Sequence, residues 1–299
     1  MYRYCPSLWT PAEHWAIPIA EAPGIASYTQ VSSVVMNFFD CNSMIGQPVV
    51  PLPGGTLDMK GLLAEMDHLG IEKTLFSHYV FGETDVKEQM NRATLAAAHH
   101  SDRLVPTWVL DTAPVKVGEK PEDQITRMLD AGVRAARFYP DEGGSAGTLS
   151  LKLYLIERTL ERMDQHRFPL LIPDEYLHGV PTTHSERPHA DYEDIDVICA
   201  RFPNLPVIIL QPAYNNQADL IALAQRHKNF YFTIPIYSLF RLLENTAALI
   251  GADRLLFGSN LPFSEGSIGI GMILYAAMGE RDKALIAAGN LKRLLDGVR

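Results

Sequence analysis

The chain has 299 residues, with 26 Lys and Arg against 35 Asp and Glu for a formal charge of −9, and it is 47% hydrophobic and 20% charged. That mixture excludes a disordered or collagen-like chain, and the acidic balance disfavours a nucleic-acid partner, which needs a basic face. Three scattered cysteines (Cys5, Cys41 and Cys199) with no CxxC pair fit a reducing compartment better than a disulfide scaffold.

Residues 1–10 carry Arg3 but no apolar core of a secretory leader. No apolar run reaches the ~18 residues of a bilayer span. A soluble, cytoplasmic protein is expected. Residues 1–33 are rich in proline and aromatics (Tyr2, Tyr4, Trp9, Trp15, Tyr28) and are expected to form an arm against the main domain or a neighbouring subunit. From there short apolar runs predict strands at 34–39, 73–77, 104–110, 135–138, 169–172, 206–210, 230–233 and 255–258. Their starts lie 24 to 39 residues apart, each interval long enough for one βα unit. Runs such as Val207-Ile208-Ile209-Leu210 lack alternation, as strands buried on both faces do. Between them, 59–69 places Leu62, Leu63, Met66 and Leu69 on one helical face with Gly70 as the stop. Further helices are predicted from Pro121 onward and over 194–201, 218–227, 238–249 and 283–295. Eight such units predict an α/β chain, a (β/α)8 TIM barrel over residues 34–299 with an N-terminal extension. A doubly wound open sheet is the alternative, but no GxGxxG follows the first strand.

A barrel places its chemistry at the C-terminal ends of the strands. Four stretches, at the first strand, before the sixth, at the eighth and in the last helix, carry a family pattern. They are Phe39-Asp40-Cys41-Asn42-Ser43-Met44-Ile45-Gly46, Phe202-Pro203-Asn204-Leu205, Arg254-Leu255-Leu256-Phe257-Gly258-Ser259-Asn260-Leu261-Pro262 and Gly289-Asn290-Leu291-Lys292-Arg293-Leu294-Leu295. Together they resemble the amidohydrolase-related family of metal-dependent hydrolases, a (β/α)8 fold, over roughly residues 36–296. The resemblance implies a hydrolase-type enzyme whose first strand supplies two metal-binding histidines, whose fifth and sixth strands each end in histidine, and whose eighth ends in an aspartate that binds metal and acts as base. This chain has Asn42 and Met44, Pro173, Gln211 and Asn260 at those positions. Zinc favours imidazole, thiolate or carboxylate donors, whereas amide oxygens are weak ligands and a thioether suits softer metals. A neutral amide also cannot take up a proton as a base. The expectation is therefore a metal-free site with no cofactor. The segment after the fifth strand, 174–191, holds His178, His184 and His189, and a metal rebuilt there is a second possibility against a solvated loop or a substrate-contacting lid.

The remaining candidates follow from residue type and place. Asp40 and Asn42 are expected on one face of the first strand. Arg137, with Tyr139 beside it at the end of the fourth strand, could clamp a carboxylate or phosphate, or form a structural ion pair. His78 ends the second strand and could move a proton near neutral pH, or be a hydrogen-bonded wall residue. Asp174 and Glu175 at the fifth strand's end are the candidate bases, or exposed loop charges. Asn42, Gln211 and Asn260 would bind substrate by amide hydrogen bonds. The segment 141–148 after Arg137 is glycine-rich but lacks the lysine of a P-loop, so a lid or plain connector fits it better. Two function classes follow. One is a hydrolase-like or lyase-like enzyme acting on a small carboxylated substrate; the other is a non-catalytic ligand-binding protein on an inherited barrel. The partner expected is a small molecule, with no nucleic acid and no membrane, and with a homo-oligomer left open.

Overall fold

The computed structural model describes residues 36–47, 54–79, 84–111, 120, 122–140, 151, 153–174, 191–213, 216–234 and 239–299. The strands are β1 (Phe38–Ile45), β2 (Ile71–His78), β3 (Leu104–Pro106), β4 (Trp108–Val109), β5 (Ala136–Arg137), β6 (Leu170–Pro173), β7 (Val207–Leu210), β8 (Phe230–Thr233) and β9 (Leu255–Leu256). All pair in parallel, in the orders β1-β2-β3 and β4-β5-β6-β7-β8-β9. β3 and β4 are halves of one barrel strand, parted at Thr107, whose N–H and hydroxyl both donate to the Phe76 carbonyl at 2.9 Å. The sheet closes between its ends, where Cys41 N donates to Phe257 O (2.9 Å) and Met44 N to Leu261 O (2.8 Å). The result is the eight-stranded barrel the βα rhythm predicts.

The helices are α1 (Met59–Leu69), α2 (Thr84–Ala98), α3 (Asp123–Asp130), α4 (Leu153–His166), α5 (Tyr192–Arg201), α6 (Gln217–Arg226), α7 (Leu242–Ile250), α8 (Gly266–Tyr275), α9 (Glu280–Ala284) and α10 (Asn290–Asp296). α1 begins where the Asp58 carboxylate accepts from Gly61 N (2.7 Å) and ends at Gly70, whose φ of 69° is the left-handed value glycine adopts without strain. α5 opens on a capping box between Asp191 and Asp194. The predicted 283–295 helix is three pieces, α9, a π-helical turn at Leu285–Gly289 and α10. α2, α4 and α8 occupy intervals where no helix was predicted. Among the described residues no helix is long and apolar enough to cross a membrane. The arm expected over residues 1–33 lies outside the described residues.

Two apolar layers hold the barrel. Phe76, Ile172, Ile209, Phe232 and Phe257 pack outward against the helices. Cys41, Leu75, Leu171, Ile208 and Leu256 fill the interior together with Leu291, Leu294 and Leu295 of α10. Asn290 explains why α10 docks there: fully buried, its amide donates to Ala252 O (2.8 Å) and Leu255 O (2.9 Å) at the start of β9. The N-terminal end of the barrel is therefore sealed with apolar side chains, and polar chemistry is left to the other end.

The first strand departs from its prediction. It runs Phe38–Ile45 rather than 34–39, carrying Asp40, Asn42 and Ser43 inside a strand. Polar residues are stable there because each finds a buried partner. Ser43 Oγ bonds Thr74 Oγ1 at 2.8 Å, and Thr74 Oγ1 donates to Asp40 at 2.9 Å. Asp40 pairs with Thr74 but Ser43 with Phe76, so β1 holds one extra residue, a β-bulge that breaks the two-residue alternation.

Candidate functional site at the C-terminal mouth

The bulge separates the two residues expected to share a face. The fully buried Asp40 carboxylate accepts from Asn42 N (2.9 Å), Ser259 N (2.8 Å), Thr74 Oγ1 (2.9 Å) and Ser259 Oγ (2.6 Å). It stitches β1 to β2 and to the chain after β9. Burial raises its pKa, and the Ser259, Asn42 and Thr74 hydrogen bonds oppose that rise. Asn42 turns instead to Arg137 and Asn260.

Arg137 stands at the end of β5 with no exposed surface. Its Nε donates to Thr107 Oγ1 (2.8 Å), Nη1 to Asn42 Oδ1 (2.6 Å), and Nη2 to the carbonyls of Ser43 and Leu75 (3.3 Å each). These partners are all neutral oxygens, so among the described residues Arg137 forms no ion pair, the alternative that the sequence offered beside a clamp. The guanidinium lies within the barrel and acts on the mouth through Asn42. Asn42 Nδ2 donates to Asn260 Oδ1 (3.3 Å), and Asn260 Nδ2 donates to Ser264 Oγ (3.0 Å).

Asn260 and Gln211, which follow β9 and β7, both adopt left-handed backbone, with φ of 59° and 54°. Asparagine adopts this region readily, whereas glutamine does so at a cost, as do Arg167 and Arg241 elsewhere in the chain. Gln211 N donates to Thr233 Oγ1 (2.8 Å), while its buried Nε2 has no hydrogen-bond partner among the described residues. Ser77 Oγ, fully buried two residues after inward-facing Leu75, likewise has none among the described residues. Buried donors without acceptors are uncommon and call for a reason.

His78 ends β2, half-buried, with burial lowering its pKa below the ordinary imidazole value. The Thr94 hydroxyl donates to Met90 O (2.9 Å) and accepts from His78 N (2.9 Å). With that proton engaged, the 3.3 Å contact between His78 Nδ1 and Thr94 Oγ1 requires Nδ1 to carry hydrogen, leaving Nε2 with its lone pair. Tyr79 lies against Phe263, ring centroids 5.2 Å apart, so the rim after β2 touches the loop after β9.

Asp174 is not the free carboxylate expected of a base. It is buried at the end of β6 and accepts from Tyr192 Oη, Ala213 N (2.6 Å) and Asn216 Nδ2 (2.7 Å). It latches the start of α5 and the β7–α6 connection to β6. The negative charge of Asp174 adds to burial in raising the Tyr192 pKa. Tyr139 is buried with Val109 and Met90. Glu175, the segment 141–148 and the histidines His178, His184 and His189 lie outside the described residues. Among the described residues no group of three or more His, Cys, Asp or Glu comes together as a metal site would need.

A family model described as amidohydrolase matches residues 42–297. The chain belongs to the amidohydrolase family. Its fold is similar to solved structures at low identity. One is the 2,6-dihydroxybenzoate decarboxylase from Rhizobium, 16% identical with a TM-score of 0.66, over 87% of this chain and 99% of that one. Another is a dihydroxybenzoic acid decarboxylase from a Polaromonas species with bound manganese and the inhibitor 2-nitroresorcinol, 16% identical with a TM-score of 0.68, over 87% and 97%. A third is the 5-carboxyvanillate decarboxylase from Sphingomonas paucimobilis, 14% identical with a TM-score of 0.65, over 88% and 100%. No curated protein matches the sequence.

Of the residues singled out from sequence, the family fold brings Asn42, Arg137 and Asn260 into one hydrogen-bonded chain. His78 and Gln211 stand at strand ends of the same mouth, and Asp174 and Tyr139 are buried in supporting contacts. Sequence reading missed Ser264, Ser77, Thr94, Thr107 and Tyr192. Only Ser264 had a signal, since it lies two residues beyond the Arg254–Pro262 motif; a lone Ser or Thr in a strand carries none.

Proposed function

We propose that the chain is an enzyme acting on a small carboxylated molecule at the C-terminal mouth of the barrel, by a hydrolase-like or lyase-like reaction that needs no metal at the family's position. Arg137 carries the reading. It is a permanently charged group, fully buried, with four neutral oxygens as its hydrogen-bond partners. A buried charge without a charged partner costs several kcal/mol. Asp40 is not paired with it: the Asp40 carboxylate oxygens accept from Thr74, Asn42 and Ser259, and none of those bonds is to Arg137. An anionic group arriving at the mouth supplies the missing negative charge.

The residues at the family's ligand positions do not fit a divalent metal. Asn42 Oδ1 already accepts from Arg137, and Asn42 turns its NH2 toward Asn260. The Pro173 side chain has no donor atom, Met44 offers only a thioether, and Gln211 has a buried NH2 with no partner among the described residues. A fixed cation against a would-be ligand opposes a dication at that place. The manganese of the Polaromonas enzyme is a property of that protein.

In this reading Ser77 and Gln211 donate to the substrate, Arg137 acts through Asn42, and Asp174 positions the rim. His78 moves the proton, because its Nε2 lone pair and lowered pKa make it a neutral base at pH 7. Glu175 is the remaining carboxylate candidate. Likeness to three decarboxylases of aromatic carboxylates supports a carboxylated substrate.

The test is turnover of a panel of aromatic and aliphatic carboxylates, followed by NMR with chelator-dialysed protein. Turnover that survives chelation supports the reading. Turnover lost on chelation and restored by zinc or manganese overturns the metal-free part and points to His178, His184 and His189. Saturable binding with no turnover makes the chain a binding protein, and preference for uncharged ligands overturns the carboxylate.

A further inference from the structure

We infer that Arg137, Asn42, Asn260 and Ser264 form a one-way hydrogen-bond relay that presents the Ser264 hydroxyl, polarised by the buried cation, as the donor that binds the carboxylate or developing oxyanion of the substrate. The inference rests on the carboxylate reading above and adds the atoms that would hold the anion.

The direction of the relay follows from chemistry. Arginine only donates, so the Asn42 atom facing Nη1 at 2.6 Å is its oxygen. The other end of that planar amide is then NH2, and the Asn260 atom it meets at 3.3 Å must accept, so it is oxygen. The Asn260 NH2 in turn donates to Ser264 Oγ at 3.0 Å. With its oxygen accepting, Ser264 is left with a hydroxyl proton that no described acceptor receives, on a side chain only partly buried. Every dipole in the chain points the same way, positive end toward the mouth. Hydrogen bonds aligned in series in a low-dielectric interior strengthen one another.

The local backbone supports the arrangement. Asn260 holds φ of 59°, a conformation glycine would take at no cost, and its carbonyl accepts from Phe263 N (2.7 Å) and Ser264 N (3.1 Å). That tight turn sets Ser264 above the amide of Asn260. Asparagine adopts this left-handed conformation more readily than other side-chain-bearing residues, so turn and amide are compatible at one position. Ser77 and Gln211, the donors on the neighbouring strand ends with no partner among the described residues, are further acceptor-seeking groups at the same mouth.

The experiment uses acetate, the smallest carboxylate that a pocket of any shape admits, with acetamide as the neutral control. Acetate is titrated into the intact protein at constant ionic strength, and the backbone amide resonance of residue 264 is read by NMR. Wild type should show a saturable shift with acetate and none with acetamide. Ser264→Ala removes the terminal donor. Asn260→Gly cuts the relay while easing the backbone, so it is the variant least prone to misfold. Each should weaken acetate about tenfold, the scale of one hydrogen bond to a charged group. The double variant should be no weaker than either single one, because the two residues act in series. Wild-type saturation that both variants keep, or losses that add, overturns the relay and leaves the carboxylate reading standing. No saturable response in wild type also overturns the relay, while the carboxylate reading is judged separately by the turnover panel.

Discussion

Replacing Arg137 with methionine tests whether the buried cation serves the fold or the ligand. Methionine keeps much of the length and the apolar stem and removes the charge. Four hydrogen bonds disappear with it, but not every acceptor is orphaned. Thr107 Oγ1 still donates to Phe76 O (2.9 Å), and the contacts to the Ser43 and Leu75 carbonyls were the long ones, at 3.3 Å each. The main loss is at Asn42 Oδ1, where the 2.6 Å bond is the shortest of the four. A buried acceptor left unpaired costs about 1–3 kcal/mol. Removing a buried charge that has no carboxylate partner returns a similar amount, several kcal/mol. Arg137→Met is therefore expected to unfold in urea within about 2 kcal/mol of wild type, with the same m-value, while losing carboxylate binding by more than about tenfold. A destabilisation above about 4 kcal/mol with binding intact would refute the reasoning. The cation would then be compensated inside the fold, and nothing about it would point to an anionic substrate.

His78→Gln should alter both stability and rate with pH. The folded pKa of His78 is lowered from 6.5, so below that value the unfolded chain binds a proton the folded chain resists, and wild-type stability falls as pH drops from about 6.5 through the folded value. The variant should flatten that slope, measured by thermal melts across pH, and abolish turnover; a preserved slope would assign it to another group. Tyr192→Phe removes one of three donors to Asp174, with Ala213 N and Asn216 remaining, and should cost about 1–3 kcal/mol in urea unfolding. An unchanged midpoint would mean the latch contributes nothing. Asn290→Ala leaves the carbonyls of Ala252 and Leu255 without their amide donor beneath the barrel and should lower stability by about 2–4 kcal/mol. The effect should appear in the melting temperature and leave the acetate response of the folded protein unchanged.

The barrel was legible because its signal is periodic and redundant. Runs such as 206–210 and 230–233 are apolar throughout, as strands covered on both faces must be, and strands lie there. α1 was legible to the residue because apolar spacing, the run's length and Gly70 agree. The first strand was misread because its polar residues resemble a loop. Only the partners supplied by Thr74 and Ser259, 34 and 219 residues away in sequence, make Asp40 stable inside it. The candidate site divides along the same line. The residue types at the strand ends already indicated that Asn42, Met44, Pro173, Gln211 and Asn260 are poor zinc donors, since donor chemistry belongs to the side chain itself.

Direction and burial do not belong to the side chain alone. Arg137 reads as an anion clamp or as half of an ion pair until β5 points it across the barrel to Asn42. Asp174 reads as a free base until Tyr192, Ala213 and Asn216 close on it. The order of residues fixed which groups stand at the mouth, because a strand's end is a local property. Which of them keep an unused donor, and which are consumed in holding the others, was decided by contacts between strands distant in sequence, where a one-residue bulge in β1 sends neighbouring polar groups to different partners.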